Sequence, residues 1–103
     1  MNKEIEIITI KSLSDNYIWL LRNNIKKLTA VIDPGESEPV NRVLFQKNWK
    51  LNQIINTHHH YDHTNGNLEL KKKWGAKLTA PEHEKNKIDN IDIGVIDNDE
   101  IDI

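Results

Sequence analysis

Four residues that can bind a metal ion stand within one short stretch: His58, His60, Asp62 and His63. Zinc is commonly bound by imidazole nitrogen and carboxylate oxygen, and a chain without cysteine offers no thiolate in their place. In an extended segment, residues i and i+2 point the same way, so His58 and His60 are expected to converge on one ion. Asp62 and His63 follow where the chain turns towards a helix, and we expect them to face a second ion. Two metals about 3.5–4 Å apart can clamp a displacement reaction.

A second interpretation of these histidines is a His-rich tract of low metal specificity. The interposed Asp62, the position after a buried strand and the small Gly66 before the next helix favour an ordered site instead. His59, between two candidate ligands, is expected to point away from them and to pack or form a supporting hydrogen bond. His83 stands alone between two glutamates and is interpreted as solvated.

The elements that position this segment follow from hydrophobic periodicity. The predicted strands are 4–10, 17–21, 28–32, 51–56, 77–80, 93–96 and 100–103, and the predicted helices are 39–48 and 67–74. The first three strands are joined by short turns and are expected to form an antiparallel meander, which Asp33-Pro34-Gly35 ends. We expect both helices to cover one face of the sheet, and the histidine segment to follow the carboxyl end of a strand.

Composition excludes several functional classes. The 103 residues suggest one domain, and a net charge of −2 gives no basic surface for nucleic acid. The triplet Lys71-Lys72-Lys73 is interpreted as a solvated helix face. The absence of cysteine fits a reducing compartment, and the sequence contains neither the apolar core of a signal peptide nor a membrane-spanning run. The expected location is therefore the cytoplasm, away from membranes.

Four stretches resemble known families. Residues 57–66 read T-H-H-H-Y-D-H-T-N-G and resemble the T-H-x-H-x-D-H-x-x-G signature of the metallo-β-lactamase superfamily. Residues 13–20 resemble the L-x-D-N-Y-x-Y-L segment of hydroxyacylglutathione hydrolases, also called glyoxalase II, and residues 30–40 resemble their V-D-P-G-E-A-E-P-V segment. Residues 94–100 are similar to that family's L-x-D-G-D-x turn, with Asn98 where glycine is usual.

The resemblance implies an α+β fold, the αβ/βα sandwich of the metallo-β-lactamases. Residues 1–103 would form about the first half of it, a βββ meander followed by βαβα units. They would be the N-terminal part of a catalytic domain, with the C-terminal half and the glutathione-binding helical domain absent. We expect the complete enzyme to be a monomer.

The resemblance also implies a reaction. His58 and His60 would bind the first zinc ion and Asp62 and His63 the second, with iron or manganese as alternative metals. A hydroxide held by both metals would attack the thioester of an S-(2-hydroxyacyl)glutathione such as S-lactoylglutathione. The products would be glutathione and a 2-hydroxy acid such as D-lactate, as in methylglyoxal detoxification. No residue beyond the ligands is predicted to be catalytic, and Asp33 would either orient the histidine loop or serve only as a turn residue.

Two alternatives stay open. One is a truncated, catalytically inactive fragment, and the other is a different hydrolase of the same fold, such as an RNA-processing nuclease. The net charge and the stretches at 15–17 and 33–36 argue against the nuclease. We expect the 103 residues alone to be inactive on S-lactoylglutathione and to fold poorly. The structural reason is that one apolar face would lack the second sheet of the sandwich; its predicted members are Ile7, Ile18, Leu20, Val31 and Ile54.

Overall fold

The computed structural model describes residues 4–13, 16–57 and 64–96. The strands are β1 (Ile5–Ser12), β2 (Asn16–Asn23), β3 (Leu28–Ile32), β4 (Gln53–Ile55), β5 (Lys77–Pro81) and β6 (Ile93–Val95). The helices are α1 (Glu38–Lys47) and α2 (Asn67–Trp74), and a turn of 3-10 helix covers Glu82–Glu84. Every predicted element within these ranges is present, whereas the predicted strand at 100–103 lies outside the described residues.

The six strands form one mixed sheet in chain order from β1 to β6. The first three strands pair antiparallel, which confirms the predicted meander, and β3 to β6 run parallel to one another. Parallel neighbours need a crossover connection. Helix α1 lies in the connection between β3 and β4, and α2 in the one between β4 and β5. The carboxyl ends of these parallel strands therefore share one edge, and the chain leaves β4 towards residue 58 at that edge.

The hydrophobic core lies between the sheet and the two helices. Four fully buried side chains face one another across neighbouring strands: Leu20, Val31, Ile54 and Leu78. Val40 and Leu44 of α1 and Leu70 of α2 pack into the same cluster. The helices also meet each other, because the indole Nε1 of Trp74 donates a hydrogen bond of 2.8 Å to Oδ1 of Asn41. Both helices thus cover the same face of the sheet, as expected, and the α+β fold class is confirmed.

Within the described residues, much of the opposite face of the sheet has no covering layer. Ile7 is 62% exposed and Trp19 is 44% exposed, and both lie on the face that the helices leave bare. Further exposed apolar side chains on this face are Ile5, Tyr17 and Ile93. The expected membership of the uncovered face is wrong for four residues, which are Ile18, Leu20, Val31 and Ile54. Strand side chains alternate between faces, and these four lie on the face that α1 and α2 cover.

The helix ends follow the residues that the sequence provides. Gly75 follows α2 with φ at 69°, and its N–H donates to the carbonyl of Lys71, which confirms its predicted capping position. Pro39 lies in the first turn of α1, where a missing N–H has no intrahelical partner. No helix among the described residues is long and apolar enough to cross a membrane.

Candidate functional site

The predicted metal ligands lie between two sets of hydrogen-bonded contacts, which are called anchors below. His58, His60, Asp62 and His63 lie outside the described residues, so the structure does not test whether their side chains converge. In the described ranges 4–13, 16–57 and 64–96, no three His, Cys, Asp or Glu side chains lie close enough to hold a metal ion. The structure does describe the residues on either side of the 58–63 segment, and those contacts define the frame of the candidate site.

The first anchor joins Asp33 to Thr57, the residue immediately before His58. Asp33 follows β3 and is buried, and its backbone has a φ of 51°, which aspartate tolerates better than most residues. Its carboxylate accepts two hydrogen bonds from Thr57: 2.8 Å from the backbone N–H to Oδ1 and 2.6 Å from the hydroxyl to Oδ2. Asp33 is therefore both a turn residue and a bidentate acceptor for the residue that leads into the histidine segment.

The second anchor joins Pro34 to Gly66, the residue that leads into α2. The Gly66 N–H donates a 2.7 Å hydrogen bond to the carbonyl oxygen of Pro34. A Cβ atom on Gly66 would lie 2.7 Å from that oxygen and 2.9 Å from the backbone nitrogen of Ser37. Only glycine permits this close approach of the two backbones. Both ends of the segment are thus held by the consecutive residues Asp33 and Pro34.

A third contact links the two ends directly. The side chains of Asn56 and Asn67 are buried and exchange two hydrogen bonds. The Nδ2 of Asn56 donates to Oδ1 of Asn67 at 3.2 Å, and the Nδ2 of Asn67 donates to Oδ1 of Asn56 at 2.5 Å. The backbone N–H of Asn56 also donates to the carbonyl of Thr79 in β5 at 2.9 Å. The end of β4 and the start of α2 are therefore joined by side chains as well as by backbone.

The turn between β1 and β2 reaches the same edge through Glu36. The Oε1 atom of Glu36 accepts a 3.0 Å hydrogen bond from the hydroxyl of Ser12 and a 2.7 Å bond from the backbone N–H of Leu13. Three of the four stretches that carry the family resemblance therefore meet in space, because Leu13 belongs to 13–20, Glu36 to 30–40 and Gly66 to 57–66.

An ion pair joins α2 to the residue that directly precedes β6. The Nζ of Lys71 lies 2.8 Å from Oδ2 of Asp92, and the same carboxylate oxygen accepts a 2.8 Å hydrogen bond from the backbone N–H of Leu78. The hydrogen bond from Lys71, followed by that from Leu78, lowers the pKa of the Asp92 carboxyl below its usual value. The Lys71 side chain is only 20% exposed, so the interpretation of all three lysines as a solvated face is wrong for Lys71 and holds for Lys72 and Lys73.

Sequence reasoning missed the side chains that support the segment. Asn56 is an amide at the end of an apolar strand, and Asn67 is the first residue of a helix, so each has a local explanation as a turn or cap residue. The one available signal was their placement on opposite sides of the histidine segment. His83 was predicted to be solvated, and it is exposed in the 3-10 helix.

Comparison with known proteins identifies relatives of this chain. The family model described as the metallo-beta-lactamase superfamily matches residues 13–93. A hydroxyacylglutathione hydrolase of Pelagibacter ubique is 48% identical over 94 residues, which is 91% of this chain and 39% of the relative. One from Ectopseudomonas mendocina is 42% identical over 100 residues, which is 96% of this chain and 38% of the relative. The chain therefore spans about two-fifths of the length of these curated relatives.

Solved structures share the fold at low sequence identity. A metallo-β-lactamase of Cronobacter sakazakii superposes with a TM-score of 0.80 at 15% identity, over 98% of this chain and 49% of that one. ETHE1 from Myxococcus xanthus superposes with a TM-score of 0.77 at 23% identity, over 94% of this chain and 43% of that one. These likenesses show the fold alone, since their identities are too low to carry an activity.

Proposed function

Because this chain belongs to the metallo-β-lactamase superfamily, we propose that it is the N-terminal part of a thioester hydrolase. Its substrate is an S-(2-hydroxyacyl)glutathione such as S-lactoylglutathione, which it cleaves to glutathione and a 2-hydroxy acid such as D-lactate in methylglyoxal detoxification. The observation that carries the proposal is the match, over nearly the whole chain, to relatives named hydroxyacylglutathione hydrolase.

The proposed metal ligands are His58 and His60 for one ion and Asp62 and His63 for a second. Their chemistry fits zinc, since imidazole and carboxylate are its usual ligands in a protein without cysteine. Iron and manganese are the alternative metals. Bound metal ions supply Lewis acidity, which polarises a carbonyl and makes water a nucleophile near neutral pH.

The described residues contribute position rather than chemistry. Asp33 fixes the backbone and hydroxyl of Thr57, and so sets the direction in which the chain enters the ligand segment. Pro34 fixes Gly66, where the chain leaves that segment. Contacts of this kind orient metal ligands, and their loss typically lowers metal affinity or activity by roughly 10–100-fold.

The proposed setting is the cytoplasm, with a small glutathione thioester as the partner and neither nucleic acid nor membrane. The lack of cysteine and the net charge of −2 support it. We propose that the complete enzyme is a monomer.

The test uses the natural polypeptide that carries these residues, assayed for hydrolysis of S-lactoylglutathione and for bound metal. His58→Ala is expected to lower kcat/KM by more than the roughly 100-fold at the upper end for supporting contacts. His83→Ala is the control, because this exposed histidine lies outside the ligand segment and is expected to change neither property. Equal turnover by the His58→Ala variant and the natural protein would refute the proposal.

Two other results separate the remaining alternatives. Metal binding without thioester hydrolysis would indicate a different hydrolase of this fold. The absence of both metal binding and turnover would indicate an inactive chain.

A further inference from the structure

We propose that the Asn56–Asn67 amide pair is a positioning device, which holds the two ends of the metal-binding segment at a fixed separation. The inference rests on the proposed function for its metal and on the described contacts for its geometry. Neither asparagine is proposed to touch metal or substrate.

The pair connects two rigid parts of the fold. Asn56 directly follows β4, and its backbone N–H is bonded to Thr79 of the neighbouring strand. Asn67 is the first residue of α2, which is anchored in the core through the fully buried Leu70. A link between these two residues closes the chain between them into a loop, which lowers the entropic cost of ordering that loop.

The donor and acceptor groups of the two amides fix how their side chains are oriented toward each other. Each amide donates one hydrogen bond and accepts one, so the two side-chain planes must face each other. Asn56 is 2% exposed and Asn67 is 7% exposed, so little water reaches the pair to replace a lost bond. A buried polar pair of this type specifies one arrangement more sharply than an apolar contact of the same size.

The pair also lies next to both backbone anchors. Thr57 follows Asn56, and its N–H is bonded to Asp33. Gly66 precedes Asn67, and its N–H is bonded to Pro34. If the amide pair sets the separation of the two ends, its loss will loosen both of these N–H bonds together, although neither amide takes part in them.

The test replaces both asparagines at once. An Asn56→Leu, Asn67→Leu double variant keeps the branched side-chain shape at a somewhat larger volume. It removes both amides together, so no buried amide is left opposite an apolar partner and the variant is expected to fold. The two single variants complete a double-mutant cycle. The control is Asn52→Leu, which removes an amide at the other end of the same strand, where Oδ1 accepts a 2.8 Å hydrogen bond from the N–H of Thr29.

The first measurement is amide hydrogen exchange of the metal-free natural polypeptide. We expect exchange at Thr57 and Gly66 to accelerate about tenfold in the double variant and to stay unchanged in the Asn52→Leu control. The N–H of Leu20 in the sheet reports global stability and is expected to stay protected in both. Unchanged exchange at Thr57 and Gly66 would overturn the inference, whatever the metal does.

The second measurement is zinc affinity, obtained by competition with a chelator. The double variant is expected to bind zinc about 10–100-fold more weakly than the natural protein, with the control unchanged. Faster exchange with unaltered zinc affinity would show that the pair is structural only, and would overturn its positioning role. If the natural protein binds no zinc while exchange at Thr57 and Gly66 accelerates, the proposed metal function fails and the effect of the pair on the two ends stands.

Discussion

The carboxylate of Asp33 binds Thr57 through both of its oxygens, one to the backbone N–H and one to the side-chain hydroxyl. The two residues stand at the ends of neighbouring parallel strands, β3 and β4, so this contact fixes the edge of the sheet from which the histidine segment starts. Asp33 also has a positive φ. Asp33 is therefore a turn residue whose side chain also holds Thr57, and its role in orienting the histidine segment stays a prediction.

Substitution of Asp33 by asparagine separates these two roles. Asparagine tolerates the positive φ equally well, but its Nδ2 group cannot accept a hydrogen bond from Thr57. We expect Asp33→Asn to lower the free energy of unfolding by about 1.5–3 kcal/mol, the range for hydrogen bonds to a charged group. Urea unfolding measures this, and Thr57→Ser, which keeps the hydroxyl, serves as the control. An unaltered unfolding midpoint for Asp33→Asn would leave Asp33 as a turn residue only.

Gly66 is expected to tolerate no side chain. A methyl group there would press on the backbone of Pro34, Glu36 and Ser37 at distances of 2.7 to 2.9 Å, and backbone atoms do not yield as a flexible side chain does. We expect Gly66→Ala to destabilise the fold by about 1–3 kcal/mol.

The matched control for this substitution is Gly75→Asn. No atom lies within 4 Å of a Cβ at Gly75, and asparagine accepts its φ of 69°. Thermal unfolding of both variants makes the comparison. Equal losses of stability in the two glycine variants would mean that backbone conformation, rather than the close contact with the loop after β3, determines the loss.

Local periodicity was sufficient to predict most of the fold. Apolar residues at every second position indicated the strands, and apolar residues three and four positions apart indicated the helices. Gly75 indicated the end of α2. The face that the helices cover was harder to assign. Ile7 and Ile18 both belong to apolar alternations, and only the strand register shows that they lie on opposite faces.

The candidate site could be predicted only in part for a related reason. The ligand candidates share one short motif, so their types and spacing are visible in the sequence, although their geometry stays a prediction. Their supports come from distant parts of the chain, as with Glu36, which binds Leu13, and Lys71, which binds Asp92. Such contacts depend on tertiary packing, and no local pattern encodes them.

The Asp92 carboxylate is expected to make stability depend on pH in the acidic range. Its pKa is lowered in the folded state, chiefly by Lys71, whereas in the unfolded chain it is close to 3.8. A lowered folded-state pKa gives stability that is present above pH 3.8 and is lost as the pH falls through the folded-state pKa. Asp92→Asn keeps an acceptor for the N–H of Leu78 and removes the charge.

We therefore expect Asp92→Asn to cost about 0.2–1 kcal/mol at neutral pH, and the difference from the natural chain to shrink below about pH 4. Urea unfolding from pH 3 to pH 7 measures it, with Asp89→Asn, an exposed acid of the same segment, as the control. If the stability difference between Asp92→Asn and the natural chain grew as the pH fell, the assigned direction of the Asp92 pKa shift would be wrong.

The open face of the sheet is expected to govern how the 103-residue chain behaves on its own. Ile7 and Trp19 lie on one continuous apolar surface that no described residue covers. Exposed apolar patches of this kind bind hydrophobic dyes and promote association. We expect the chain to bind such a dye and to scatter light at high concentration, and the double variant Ile7→Lys, Trp19→Lys to lose most of both signals.

Because Ile7 is mostly exposed, Ile7→Lys alone is expected to change the free energy of unfolding by less than about 0.5 kcal/mol. The control is Ile25→Lys, since Ile25 is 71% exposed in the turn between β2 and β3 and lies outside this surface. Loss of dye binding in the Ile25→Lys control as large as in the double variant would show that general surface charge, rather than the open face, sets this behaviour.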